Sequence, residues 1–125
     1  MKTGFTITEL VVVIIIIGIL ATLALTHYGS VRERTLNREA QANLRLIIAA
    51  ARIYRMEVGG YYAAPNTAAI NANYRLLLPT PATANWNYLT TATVNTCCAQ
   101  ATRAPAGRTW RMGDTEDDPV SNTCP

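Results

Sequence analysis

The hydrophobic rhythm of this chain changes along its length, and each rhythm predicts a different element. From Leu10 to Val31 no Asp, Glu, Lys or Arg occurs. As a helix, those roughly 22 positions reach about 33 Å, the thickness of a bilayer core. Much of the run is β-branched: Val11, Val12, Val13, Ile14, Ile15, Ile16 and Ile17. In water such residues favour strands. In lipid the backbone must satisfy its own hydrogen bonds, so the run is predicted to be helical. Beyond Tyr28, Gly29 and Ser30 the apolar positions thin out. Leu36, Ala40, Leu44, Ile47, Ile48, Ala51 and Val58 then recur at helical spacing. Arg38, Arg45 and Arg52 form a separate stripe, expected to be solvated. One helix of about 80 Å is predicted from Phe5 to Val58, stopped by Gly59 and Gly60.

The rest of the chain reads as a small head. Tyr61, Tyr62 and Pro65 open a loop. Asn66 or Thr67 caps a short helix predicted to run through Leu78 and to end at Pro79, with Pro79 and Pro81 marking a linker turn. Trp86, Tyr88, Thr90, Ala92 and Val94 alternate with Asn87, Leu89, Thr91 and Thr93, a strand pattern. Cys97 to Arg103 and Arg108 to Met112 supply further short strands. The expectation is an α+β fold, in which a long helix packs its second half on a three- or four-stranded antiparallel sheet. The divisions are 1–4 as a leader, 5–31 as a membrane or filament-core helix, 32–59 as an amphipathic helix, and 60–125 as the head.

Composition changes this picture modestly. The chain has 125 residues and a net charge of +3, too small to imply nucleic acid. Lys2 is the only lysine, and the acids gather late, at Asp114, Glu116, Asp117 and Asp118. His27 is the sole histidine and lies in the apolar half, so no hydroxyl–histidine–acid set can be assembled. No glycine-rich phosphate loop is present either. An enzyme is therefore not expected, and Met56, Met112 and the aromatics read as packing residues.

The apolar run has three readings. A secretory signal has a basic start, and Thr22 and Ala24 would suit a peptidase, but the run is long and Glu9 stands where apolar residues should begin. A plain membrane anchor explains the length and leaves Glu9 without a purpose. The third reading accounts for Gly4, Phe5 and Glu9 together. The residues GFTITE, with glycine before phenylalanine and glutamate four positions on, resemble the processing site of type IV prepilins and of secretion-system pseudopilins. That resemblance is specific from Gly4 to Leu25 and general over the next thirty residues or so.

The resemblance implies that a prepilin peptidase cuts after Gly4, that the apolar segment is kept, and that the new amino terminus at Phe5 is methylated. Glycine suits a narrow cleft because it lacks a Cβ. It also implies that Glu9, buried when helices bundle into a filament, pairs with the Phe5 amine of a neighbouring subunit. A buried carboxylate otherwise lacks compensation. Gly18 falls where the family often has glycine, a weak point at which the helix would unwind; close helix packing is the alternative. Many members carry a proline eight residues beyond, where this chain has Thr26, which counts against melting around Thr22 to Thr26. The implied partners are identical subunits, the peptidase, an inner-membrane assembly platform with its ATPase, and the bilayer. The implied location is the bacterial inner membrane, followed by an extracellular or periplasm-spanning filament.

Two further features concern the head. Cys97, Cys98 and Cys124 make an odd count, expected to form one disulfide and leave one thiol. Pairing Cys124 with either neighbour closes a loop of about 27 residues, worth roughly 3–4 kcal/mol. Cys97 shares a strand face with Ala99 and Ala101, which should point at the helix. Cys98 then looks outward unless the carboxyl segment covers it, and the two partners rank equally. The acids of GDTEDDP offer oxygen ligands for calcium, an ion that major pseudopilins bind late in the chain. Their spacing does not match the twelve-residue calcium loop, and an exposed acidic turn is the simpler reading. The sequence is thus read as a subunit of a type IV pilus-like filament. A major pseudopilin of type II secretion is one alternative, and a single-span anchored binding module that does not polymerise is another.

Overall fold

Residues Ile7–Val58 form one uninterrupted α-helix, α1, in the computed structural model, which describes residues 4–80, 84–103 and 107–125. The expected leader residues before Gly4, and Pro81 of the expected linker turn, lie outside the described residues. Four elements follow α1: α2 (Thr67–Tyr74), β1 (Asn87–Ala92), β2 (Cys97–Thr102) and β3 (Thr109–Gly113). The chain divides into two compact units, one ending at Thr35 and the other running Leu36–Pro125. The division falls a few residues later than the end of the apolar run suggested. It places the amphipathic half of α1 and the head in one unit.

The first unit is helix with no buried side chain among the described residues. Its large apolar side chains, from Phe5 to Val31, are all exposed. The helix is long and apolar enough to cross a membrane. Its hydroxyls do not point outward idly. Thr22 donates to the carbonyl of Ile19 at 2.8 Å, Thr26 to that of Leu23 at 2.9 Å, and Ser30 to that of His27 at 3.0 Å. Such back-bonding satisfies these hydroxyls within the helix itself.

The second unit is an α+β arrangement: the carboxyl half of α1 packs on a three-stranded antiparallel sheet in the order β1-β2-β3. The buried face of α1 is Leu36, Ala40, Leu44, Ile47, Ile48 and Ala51, as the helical spacing predicted. Fully burying a side chain the size of Leu44, Ile47 or Ile48 contributes about 1.5–3 kcal/mol. Val58 keeps the rhythm but is 63% exposed, because α1 stops there. Gly59 takes a positive φ of 88° and its N–H closes on the carbonyl of Arg55 at 2.8 Å. Met56, expected to pack, is exposed as well, whereas Met112 is buried.

The sheet register sets the inward face. Thr90 pairs with Ala99 and Tyr88 with Ala101, and across the sheet Ala99 pairs with Met112. All five of these side chains are buried. Trp86, just before β1, is 1% exposed and donates from Nε1 to the carbonyl of Leu36 at 3.0 Å, fastening the sheet to α1. Asn43 donates to the Tyr88 hydroxyl at 2.8 Å about two turns further on. The short helix α2 is capped by Asn66, whose side chain accepts from the N–H of Ala69. It ends at Tyr74, well before the expected Leu78. Arg75 turns left-handed, and the Asn71 amide then binds both the N–H and the carbonyl of Leu78 at 2.9 Å, holding residues 75–78 alongside α2 as a non-helical return.

Both edges of the sheet are covered. On β1, Thr90 donates its N–H to the carbonyl of Ala64 at 2.8 Å, and Tyr88 donates to Thr67 Oγ1 at 3.1 Å. On β3, Arg111 exchanges two backbone bonds of 2.9 Å with Val120, and Gly113 donates to Glu116 Oε2 at 2.8 Å. Covered edges do not template strand addition.

Candidate functional site

The candidate site residues fall in two places, treated separately. In the first unit, Gly4 and Phe5 precede α1, and Phe5 is 72% exposed. Space around Gly4 is open, with no atom within 4 Å of where a Cβ would stand. Thr6 begins the helix and Glu9 closes a capping box upon it. The Thr6 N–H donates to Glu9 Oε2 at 2.9 Å, the Thr6 hydroxyl donates to the same oxygen at 2.7 Å, and the Glu9 N–H returns to Thr6 Oγ1 at 3.3 Å. Sequence reasoning missed this role, although the signal was present: Thr-Ile-Thr-Glu is a T-x-x-E pattern ahead of an apolar run. A carboxylate also suits the positive end of the helix macrodipole. Glu9 therefore has local work at the head of the apolar helix. Both bonds fall on Oε2, which leaves Oε1 for a further donor.

Gly18 lies within α1, with no neighbour within 4 Å of its missing Cβ. The helix passes through it, and through Thr22 to Thr26, without interruption.

In the second unit, Cys98 is bonded to Cys124, with Cα atoms 5.9 Å apart, and Cys97 is a buried free thiol. The alternation in β2 had the facing right: Cys97 turns toward α1 with Ala99 and Ala101. Cys98 looks to the other face, where the carboxyl segment covers it. Burial pushes the Cys97 thiol up to about 11, and Asp114 adds to the rise. Tyr74, beside it, is pushed up to about 12, chiefly by burial and then by Cys97, while its hydroxyl donates to the carbonyl of Tyr62 at 2.6 Å.

The late acids do not converge. Glu116 pairs with Arg111 at 2.9 Å and also accepts from Gly113, while Asp118 pairs with Arg45 at 2.6 Å. Asp114 offers its backbone carbonyl to Arg52 at 2.6 Å. Among the described residues no three acids, cysteines or histidines gather as a cation would require. The calcium candidates Asp114, Glu116, Asp117 and Asp118 thus lie in a turn, where Glu116 and Asp118 meet arginines through their carboxylates and Asp114 through its backbone carbonyl. Arg45 and Arg52 belong to the stripe expected to be merely solvated. The structure sets them against this turn, a long-range pairing that spacing along the helix does not reveal. Arg45 and Asp118 remain largely exposed, so their pair contributes at most about 1 kcal/mol.

Comparison with family models, with characterised proteins and with solved structures finds no match.

Proposed function

We propose that this chain is a structural subunit of a type IV pilus-like filament. In this reading it is inserted in the inner membrane, cut after Gly4 by a prepilin peptidase, and polymerised through its N-terminal helix. The observation that carries the reading is the state of the first unit. A helix whose large apolar residues are exposed from Leu10 to Val31 is preceded by Gly4 and Phe5 and carries Glu9 in its first turn. Such a surface needs lipid around it in the monomer and like helices around it in a fibre.

Cleavage after Gly4 creates a cationic amine at Phe5. A neighbouring Glu9 then offers it Oε1, while Oε2 keeps the Thr6 cap. The carboxylate would serve as a cap in each subunit and as a register key between subunits. The covered sheet edges favour contacts through helices over contacts through strands. The disulfide-closed carboxyl end resembles a pilin more than a secretion pseudopilin. The short connection between α1 and α2 is the feature that favours the pseudopilin alternative.

Mass spectrometry of the protein extracted from membranes or fibres tests the processing step. The expected first residue is Phe5, methylated. An amino terminus near Leu25 would make the run a secretory signal, and a retained Met1 would make it a plain anchor.

A further inference from the structure

The two sheet edges are covered in physically different ways. The cover of β1 comes from Ala64 and Thr67, which are themselves core residues at 0% and 1% exposure. It cannot leave without unfolding the head. The cover of β3 is the segment Val120–Pro125, of which all but the half-buried Cys124 is exposed. It crosses from the Arg111 edge to β2, where the Cys124 N–H donates to Gln100 Oε1 at 2.9 Å and Cys124 Sγ joins Cys98. The turn behind it is fastened independently. Asp118 pairs with Arg45, the Asp114 carbonyl accepts from Arg52, and Pro119 is buried. The fold therefore has an anchor at the buried Pro119 and, beyond it, a strap held by the Val120 bridge, one bond to Gln100 and one reversible covalent link.

We propose that this strap exchanges between copies: Val120–Pro125 of one copy lies on β3 of a second copy and closes an intermolecular Cys98–Cys124 disulfide. The receiving surface is the Arg111 edge, Gln100 and Cys98, and it is already complementary to the strap because it holds the chain's own. The contacts are the same within and between copies, so the local concentration of copies decides the partition. The redox step is a dithiol–disulfide exchange. A small dithiol delivers two electrons and two protons to the Cys98–Cys124 bond, releasing two thiols and becoming a cyclic disulfide. The disulfide form of the same couple later takes them back as the new bond closes. Cys97 stays out of the exchange because it is buried on the opposite face of β2. Five residue steps from Pro119 to Cys124 span at most about 17 Å, so only heads lying side by side can exchange. The inference does not depend on the filament reading.

The test uses full-length chain in detergent, prepared as an equal mixture of ¹⁴N and ¹⁵N protein. The mixture is reduced with a dithiol, reoxidised with several copies per micelle or with one, and mapped as non-reduced peptides. The expected result is Cys98–Cys124 pairs of mixed mass approaching about half of all pairs in crowded micelles, falling at least about tenfold at one copy per micelle. Same-mass pairs alone under both conditions would overturn the proposal. So would mixed pairs spread over Cys97, since that indicates random oxidation of an opened chain.

Discussion

Replacing Cys124 with Ser opens the link that joins residues 26 positions apart. In the chain-entropy model, closing a loop of that size costs the unfolded chain about 3.5 kcal/mol, all of which the variant regains. The folded side loses little. The Val120–Arg111 bridge and the Cys124 N–H bond to Gln100 survive the change in principle, but without the link the strap frays. A unit of roughly ninety residues holds about 5–13 kcal/mol in total, so this one change removes a quarter or more of it. At about 4–8 °C per kcal/mol for a domain of this size, the melting temperature should fall by roughly 14–28 °C. The assay is a near-ultraviolet circular dichroism melt of the full chain in detergent, reporting on Trp86 and Trp110. Cys98→Ser should melt where Cys124→Ser does, and the double variant no lower, because the two residues act as one link. Cys97→Ala removes only a buried thiol and should fall much less. The reasoning is refuted if Cys124→Ser melts within about 4 °C of the parent, less than a loss of 1 kcal/mol would give.

Other substitutions separate roles that coincide in one residue. Glu9→Gln keeps an oxygen for the Thr6 N–H but removes the charge, whereas Thr6→Ala weakens the cap and keeps the charge. Filament yield should collapse for Glu9→Gln and Glu9→Ala and fall only mildly for Thr6→Ala, and normal fibres from Glu9→Gln would dismiss the amine pair. Thr90→Val leaves the buried Ala64 N–H without the hydroxyl that accepts from it at 2.9 Å, while the Tyr62 carbonyl keeps the Tyr74 hydroxyl. Urea unfolding should show a loss of about 1–3 kcal/mol, from one buried group left unsatisfied; a loss under about 0.5 kcal/mol would mean that water replaces it. Alkaline titration follows from Cys97, Tyr74 and Tyr88, whose folded values rise from 9.0 to about 11 and, for both tyrosines, from 10.0 to about 12, burial being the main cause. The unfolded chain releases these protons first, so their contribution is complete below about pH 9 and is lost as pH climbs from 9 toward 12. Denaturant midpoints that stay flat to pH 11 would contradict the buried, protonated state.

Much of this architecture is local and therefore legible in the chain. The stripe Leu36 to Ala51 declares its buried face because helical period and burial coincide, and the alternation of β1 and β2 sorts Tyr88, Thr90 and Cys97 inward from Cys98. What was not legible depends on non-local paths. Nothing in the spacing of Arg45 and Arg52 says that a turn more than sixty residues away will meet them. The choice of Cys98 over Cys97 depends on where the strap runs, which the Val120 bridge decides. The early end of α2 escaped notice because Arg75, not a glycine, takes the left-handed conformation, and the Asn71 amide then stabilises the return. The capping box at Thr6 and Glu9 was legible and was overshadowed by the larger question of a charge before an apolar run.

Electron microscopy of the native protein, sheared from cells and purified without detergent, tests the central claim most directly. The account predicts thin fibres of uniform width whose helical reconstruction places α1 at the centre, Glu9 of one subunit beside Phe5 of another. Protein recovered only from detergent-solubilised membranes as dispersed single copies, with no fibre under conditions that keep the head folded, would contradict it.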